Sequence, residues 1–219
     1  MVKTEWPTGP RSAETFTVGA NQLLYRVLSA AGGRSATQFN PGFGEPTRFA
    51  FFSDGSGTTV PVLYAAYSAQ AAVCETLLRD IPASGGTLIE ADYIGSMMAG
   101  LRTNRELNLA KFMGSGLRAL GTTHQALTSS DMRTYSQTVQ WAEAAHRAGF
   151  DGAAWMSNRC NDTAAVVLFG DRVEADGLSA DSSVARIFSR QSDRDWLTDM
   201  CFPLGIHVRW KPPRPKTDP

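Results

Sequence analysis

"PVLYAAYSAQAAVCETLLRD", residues 61–80, changes its period halfway along. "PVLYAA" at 61–66 reads as a buried strand. From Ser68 onward Ala69, Ala72, Val73, Thr76 and Leu77 recur at helical spacing, with Ser68 placed as N-cap. Pro82 and Gly85-Gly86 are expected to stop that helix. A buried strand therefore feeds straight into a helix, and the helix carries Glu75 beside its apolar stripe. A carboxylate there is expected to be half buried and to face the core or a cleft, or else to pair with Arg79 at i+4.

Upstream, "LLYRVL" at 23–28 reads as a strand with a guanidinium at its centre. Arginine is almost never buried without a partner and keeps its charge, so Arg26 must reach a surface or an anion. Residues 29–61 are rich in Gly, Ser, Thr and Pro and read as loops and brief strands, with Arg48 inside "NPGFGEPTRFAFF". Residues 1–20 are expected as a polar arm over the surface, and the tail "KPPRPKTDP" at 211–219 as disordered.

Downstream, "TLIEADY" at 87–93 reads as a strand, and 97–128 as short helices and connections. "DMRTYSQTVQWAEAAHRAG" at 131–149 reads as a helix closed by a left-handed Gly149. "FDGAAWMSNRCND" leads into the apolar strand "AAVVLFG" at 164–170, and 181–210 adds a short helix and a final strand. Trp141 and Trp155 are expected in the core, and His124 and His146 in structural roles. Scattered strands with few crossover helices define an α+β domain over 21–210, not a Rossmann fold.

Composition narrows the function. Among 219 residues, 21 basic and 21 acidic side chains cancel. That argues against broad nucleic-acid binding, which needs clustered cations, and leaves room for a small anionic ligand. Cys74, Cys160 and Cys201 lie far apart with no C-x-x-C spacing, so neither a zinc site nor a disulfide framework is read from them. There is no apolar signal core and no run of 18 apolar residues, so a soluble cytoplasmic protein without membrane contact is expected. Phosphate-loop and H-E-x-x-H motifs are absent.

Four segments in this order carry a resemblance: "LYRV", then "NPGFG" with "RF", then "LYAAYSAQAAVCETL", then "AGFDGAAWMSNR" with "AAVVLF". Over roughly residues 22–172 the chain resembles the RES domain family, named for its Arg, Glu and Ser. Here Phe49 follows the second arginine, where the family usually has Trp. The resemblance implies a single compact domain similar to ADP-ribosyltransferases, with short strands forming a split sheet and flanking helices. It implies a bacterial toxin that consumes NAD+ as substrate, with no separate cofactor and no metal. The nicotinamide–ribose bond is broken with water or inorganic phosphate as acceptor. A cognate antitoxin, often with an Xre-type helix-turn-helix part, plugs the site. Carried over, the catalytic positions are Arg26, Tyr64 and Glu75, and the substrate-binding positions are Arg48 and Ser157.

These residue types suit that reaction. Arginine forks are natural partners of a diphosphate. Nicotinamide departs neutral, so the group to stabilise is the cationic ribose, as in glycoside hydrolysis. Glu75 would supply the charge, Tyr64 a ring face and a hydroxyl, and Ser157 a hydrogen bond to the ribose or the amide. Two other readings stay open: a protein mono-ADP-ribosyltransferase using NAD+, and a non-catalytic relative that binds a nucleotide or a partner.

Overall fold

The computed structural model describes residues 4–129 and 132–210. In chain order the first elements are β1 (Thr4–Trp6), β2 (Gly9–Arg11), β3 (Thr15–Val18), β4 (Leu23–Ser29), β5 (Val62–Ala66) and α1 (Ala69–Thr76). Then come β6 (Gly86–Leu88), α2 (Glu90–Tyr93), β7 (Ser96–Thr103), β8 (Leu107–Lys111), α3 (Ser115–Ala119) and α4 (His124–Leu127). The last are α5 (Tyr135–Arg147), β9 (Gly152–Met156), β10 (Ala164–Phe169), α6 (Gly170–Val173), β11 (Leu178–Ile187), α7 (Gln191–Cys201) and β12 (Ile206–Val208).

Eight strands form one sheet in the order β11-β7-β4-β5-β10-β9-β8-β3. All neighbours are antiparallel except β8 and β9, which run parallel. Both faces are covered, and β10 shows how. Ala165, Val167 and Phe169 enter a core shared with α1 and α5, while Ala164, Val166 and Leu168 enter a second core with Leu24, Leu63 and Leu101. Burial on both faces explains why β5 and β10 read as unbroken apolar runs. The result is one α+β domain, as expected, with helices packed on an eight-stranded sheet.

That sheet is pinned unevenly. β4 pairs with β7 over seven register pairs, and β5 with β10 over five. Between β4 and β5 there is a single pair, Tyr25 with Ala66. Beyond it the two strands part.

Several expectations are corrected. Residues 4–20 are not an arm on the surface: β1 and β2 form a hairpin and β3 pairs with β8. Trp6 is buried against Phe112 and Trp141, so one aromatic anchors an otherwise polar stretch. The region 97–128 holds two strands, β7 and β8. Met98 to Leu101 of β7 is wholly buried, which erases the period-2 signal. "TLIEADY" is strand only to Leu88; Glu90 and Asp92 then sit in the first turn of α2, where acidic residues are favoured.

α1 ends at Thr76 instead of running to the Pro82 stop. The helix expected over 131–149 is a 3₁₀ turn at Met132–Thr134 followed by α5, and Asp131 lies outside the described residues. Gly149 does take a left-handed φ of 88°, with the Phe150 N–H bonded to the Ala145 carbonyl. His146 is buried and bonded to Asp171 at 2.7 Å. The tail at 211–219 lies outside the described residues. Among the described residues, no helix is long and apolar enough to cross a membrane.

Candidate functional site

The parting of β4 and β5 opens a cavity of about 440 Å³, within the size range of small-molecule sites. Arg26 to Ser29 form one lip, and Val62, Tyr64 and Ala65 the other. α1 contributes Glu75, α5 contributes Tyr135 and β9 contributes Trp155. Four of the five expected site residues, Arg26, Arg48, Tyr64 and Glu75, therefore share one cavity.

Glu75 is held from behind. The Ser68 hydroxyl accepts the Ala71 N–H and fixes the start of α1, two turns before the carboxylate. The Ser157 hydroxyl donates to Glu75 Oε1 at 2.6 Å, and the Asn158 N–H donates to the same oxygen at 2.9 Å. Ser157 in turn accepts the Cys160 N–H at 3.2 Å, which sets its rotor. Oε2 has no hydrogen-bond partner among the described residues. The arrangement leaves one carboxylate oxygen anchored and the other available to a ligand.

Ser157 thus departs from the expected contact with ligand. It is fully buried, does not line the cavity and is bonded to Glu75. The expected i+4 pair of Glu75 with Arg79 is also absent, because α1 ends before Arg79. Arg79 turns instead to Asp80 at 3.4 Å while lining the cavity.

Arg26 answers both halves of the question its position raises. Its Nη1 donates to the carbonyls of Ala36 at 2.6 Å and Gln38 at 2.8 Å, tying down the loop beyond β4. Burial, and then the nearby charge of Arg34, pull its pKa down to about 10, so it stays cationic at neutral pH. Neither Arg26 nor Arg34 has a carboxylate partner among the described residues. Two neighbouring guanidiniums without an anion make this wall a seat for a negatively charged group.

Tyr64 organises the other arginine. Its hydroxyl accepts the Phe49 N–H at 3.1 Å and is bonded to Thr47 Oγ1 at 2.9 Å, on either side of Arg48. The Thr138 hydroxyl donates to the Arg48 carbonyl at 2.6 Å, and the Arg48 guanidinium lies 5.6 Å from the Tyr135 ring. Burial pushes the Tyr64 phenol up to about 12, so it is neutral. The hydroxyl expected to orient ligand is thus engaged with the loop, and the ring packs edge-on to Trp155.

Arg34, Arg79 and Tyr135 line the cavity without having been singled out as site residues in the sequence. No local pattern marks them, since Arg34 follows "AAGG" in a loop and Tyr135 opens a helix. In all, four guanidiniums and one carboxylate line the cavity among the described residues. Such a surplus suits a polyanionic ligand with a cationic reacting end.

A family model described as the RES domain matches residues 23–188. A chain of the crystal structure of the M. tuberculosis MbcT–MbcA toxin–antitoxin complex has a similar fold. The TM-score is 0.57 at 18% identity, covering 78% of this chain and 85% of that one. No curated protein matches the chain significantly.

Proposed function

The chain belongs to the RES domain family, and from that membership we propose that it is a toxin that destroys NAD+ in the cytoplasm. The observation that carries this reading is Glu75: one oxygen is fixed by Ser157 and Asn158, and the other is available in a cavity whose other charged lining residues, among those described, are arginines. NAD+ has the matching charge pattern. Its diphosphate would lie against Arg26 and Arg34, with Arg48 on the opposite wall, and its cationic nicotinamide riboside end against Glu75.

The bond between ribose C1′ and the nicotinamide nitrogen breaks, and its electron pair leaves with neutral nicotinamide. Glu75 stabilises the positive charge that develops on the ribose, the same task a carboxylate performs in glycoside hydrolysis. Water then adds at C1′ and loses its proton to solvent, giving ADP-ribose. With inorganic phosphate as acceptor, a phosphate oxygen adds instead, giving the 1″-phosphate of ADP-ribose. Tyr64 places Arg48, and Ser157 orients Glu75, so both act as positioning residues. The structural likeness to a chain of a toxin–antitoxin complex supports a cognate antitoxin as partner. An Xre-type helix-turn-helix part in that antitoxin and coverage of the cavity mouth complete this reading.

Proton and phosphorus NMR of the purified chain with NAD+, with and without phosphate, tests the proposal. Release of nicotinamide with ADP-ribose or its 1″-phosphate is expected, and expression without antitoxin should deplete cellular NAD+. Intact NAD+ beside well-folded protein would rule the reading out. Labelling of an acceptor protein would move it to a transferase.

A further inference from the structure

Sulfur flanks the Glu75 assembly on both sides. Cys74 precedes Glu75 on α1, and Cys160 follows Ser157 by three residues. Their Sγ atoms lie 3.2 Å apart, although the residues are 86 positions apart in sequence. We propose that Cys74 and Cys160 form a reversible disulfide site that staples α1 to the turn holding Glu75. Formation of this bond does not depend on NAD+ being the substrate.

The geometry is close to what the bond needs. A disulfide requires the sulfurs to approach to about 2.05 Å, so closure moves them by roughly 1 Å. Side-chain rotation and a small shift of the 157–160 turn supply that. Cys201, the third cysteine, is buried and makes no such contact. The pair is also asymmetric. Cys74 is 1% exposed and Cys160 8%, and Cys160 sits among the exposed Asn158, Arg159, Asn161 and Asp162.

The hydrogen bond with Cys74 holds the Cys160 thiol below its ordinary pKa, and the same contact, then burial, keeps Cys74 protonated. A more acidic, more accessible thiol beside a resolving partner is the arrangement of redox-responsive cysteines.

The step balances with a hydroperoxide as oxidant. The Cys160 thiolate attacks the O–O bond, becomes a sulfenic acid and releases hydroxide or alkoxide. The Cys74 sulfur then attacks the Cys160 sulfur. The S–S bond forms, the S–OH bond breaks, and the hydroxyl leaves with the Cys74 proton as water. Two thiols are oxidised, one hydroperoxide is reduced, and a dithiol reductant reverses the change. The staple joins the segment carrying Glu75 to the one carrying Ser157 and Asn158.

The full chain is treated with hydrogen peroxide, alkylated and mapped by mass spectrometry without reduction. A Cys74–Cys160 linked peptide is expected, with a loss of about 2 Da and a Tm rise of roughly 5 °C that dithiothreitol reverses. Cys160→Ser abolishes the linkage and the Tm rise, while Cys201→Ser keeps both; if Cys160→Ser fails to fold, the linkage map of the parent chain decides. Free, alkylated Cys74 and Cys160 after peroxide, a bond to Cys201, or sulfinic acid at Cys160 beside free Cys74 would overturn the proposal.

Discussion

The two edges of β5 are made of the same five residues and do different work. Towards β10 the edge is zipped through five register pairs between two packed cores; towards β4 it holds one pair and then opens. On the zipped side the strand neighbours are Ala, Val, Leu and Phe. On the open side they give way to Arg26, Arg34, Arg48 and Glu75. The packed cores lie where the ladder is complete, and the candidate site lies where it stops. Substitutions on the two sides should therefore separate: one set moves folding and spares turnover, and the other does the reverse.

The largest effect is expected on the zipped side. Leu168 is fully buried in the second core, and Leu168→Ala should cost about 3 kcal/mol in denaturant unfolding. The kcat/KM of the protein that remains folded should stay within twofold of the parent. A hundredfold loss of activity there would dissolve the contrast. On the open side, Arg26→Lys keeps the charge but gives up the planar fork whose Nη1 binds the Ala36 and Gln38 carbonyls and which, on the proposed reading, would also take a phosphate. Steady-state assays should show kcat/KM reduced by about a hundredfold, with unfolding changed far less than in Leu168→Ala.

Arg34→Gln removes a cation that makes no ion pair among the described residues. KM for NAD+ should rise about tenfold with kcat nearly constant, since binding at a distance from the reacting bond contributes equally in ground and transition states. Unchanged KM would leave Arg26 without a partner for the diphosphate.

Tyr64→Phe bridges the two regions and should have the smallest effect. Losing the hydroxyl that holds Thr47 and the Phe49 N–H costs about 1 kcal/mol in thermal or denaturant unfolding. The same residue has a pH signature. Its phenol titrates at about 12 in the folded chain against an ordinary value of 10.0. The unfolded chain thus loses that proton first, and the contribution of Tyr64 to stability falls as pH rises from about 10 to about 12. Tyr64→Phe should make that fall shallower by this one group; the raised Tyr67, Tyr93 and Cys201 act in the same direction, and Arg26, held down to about 10, acts against them in both proteins.

The same contrast governs what was legible in the sequence. β4, β5 and β10 could be read because short apolar runs bounded by turn residues have few other solutions. Trp6 and the strands β7 and β8 could not. A single buried aromatic in a polar stretch carries no period, nor does β7, wholly buried from Met98 to Leu101, while β8 is only five residues long with Asn108 exposed. At the site, Arg26, Arg48, Tyr64 and Glu75 were legible mainly through the family resemblance, since their separations form no generic motif. What the sequence hid was who holds whom. Ser157 and Glu75 are 82 residues apart, and only the packing of α1 against the turn after β9 turns a candidate ligand contact into a support for the carboxylate. Arg34 depends likewise on the loop that Arg26 folds back.

On the proposed function, Glu75 stabilises a ribosyl cation in the opening beside β5. Turnover of NAD+ by Glu75→Gln, measured as nicotinamide release by NMR beside the parent protein, tests it most directly. Glutamine keeps the shape and can still accept from Ser157 and Asn158 but lacks the charge. A kcat reduced by roughly a hundredfold or more is expected, with KM within a few-fold and Tm nearly unchanged. Parental turnover in a folded Glu75→Gln protein would contradict it.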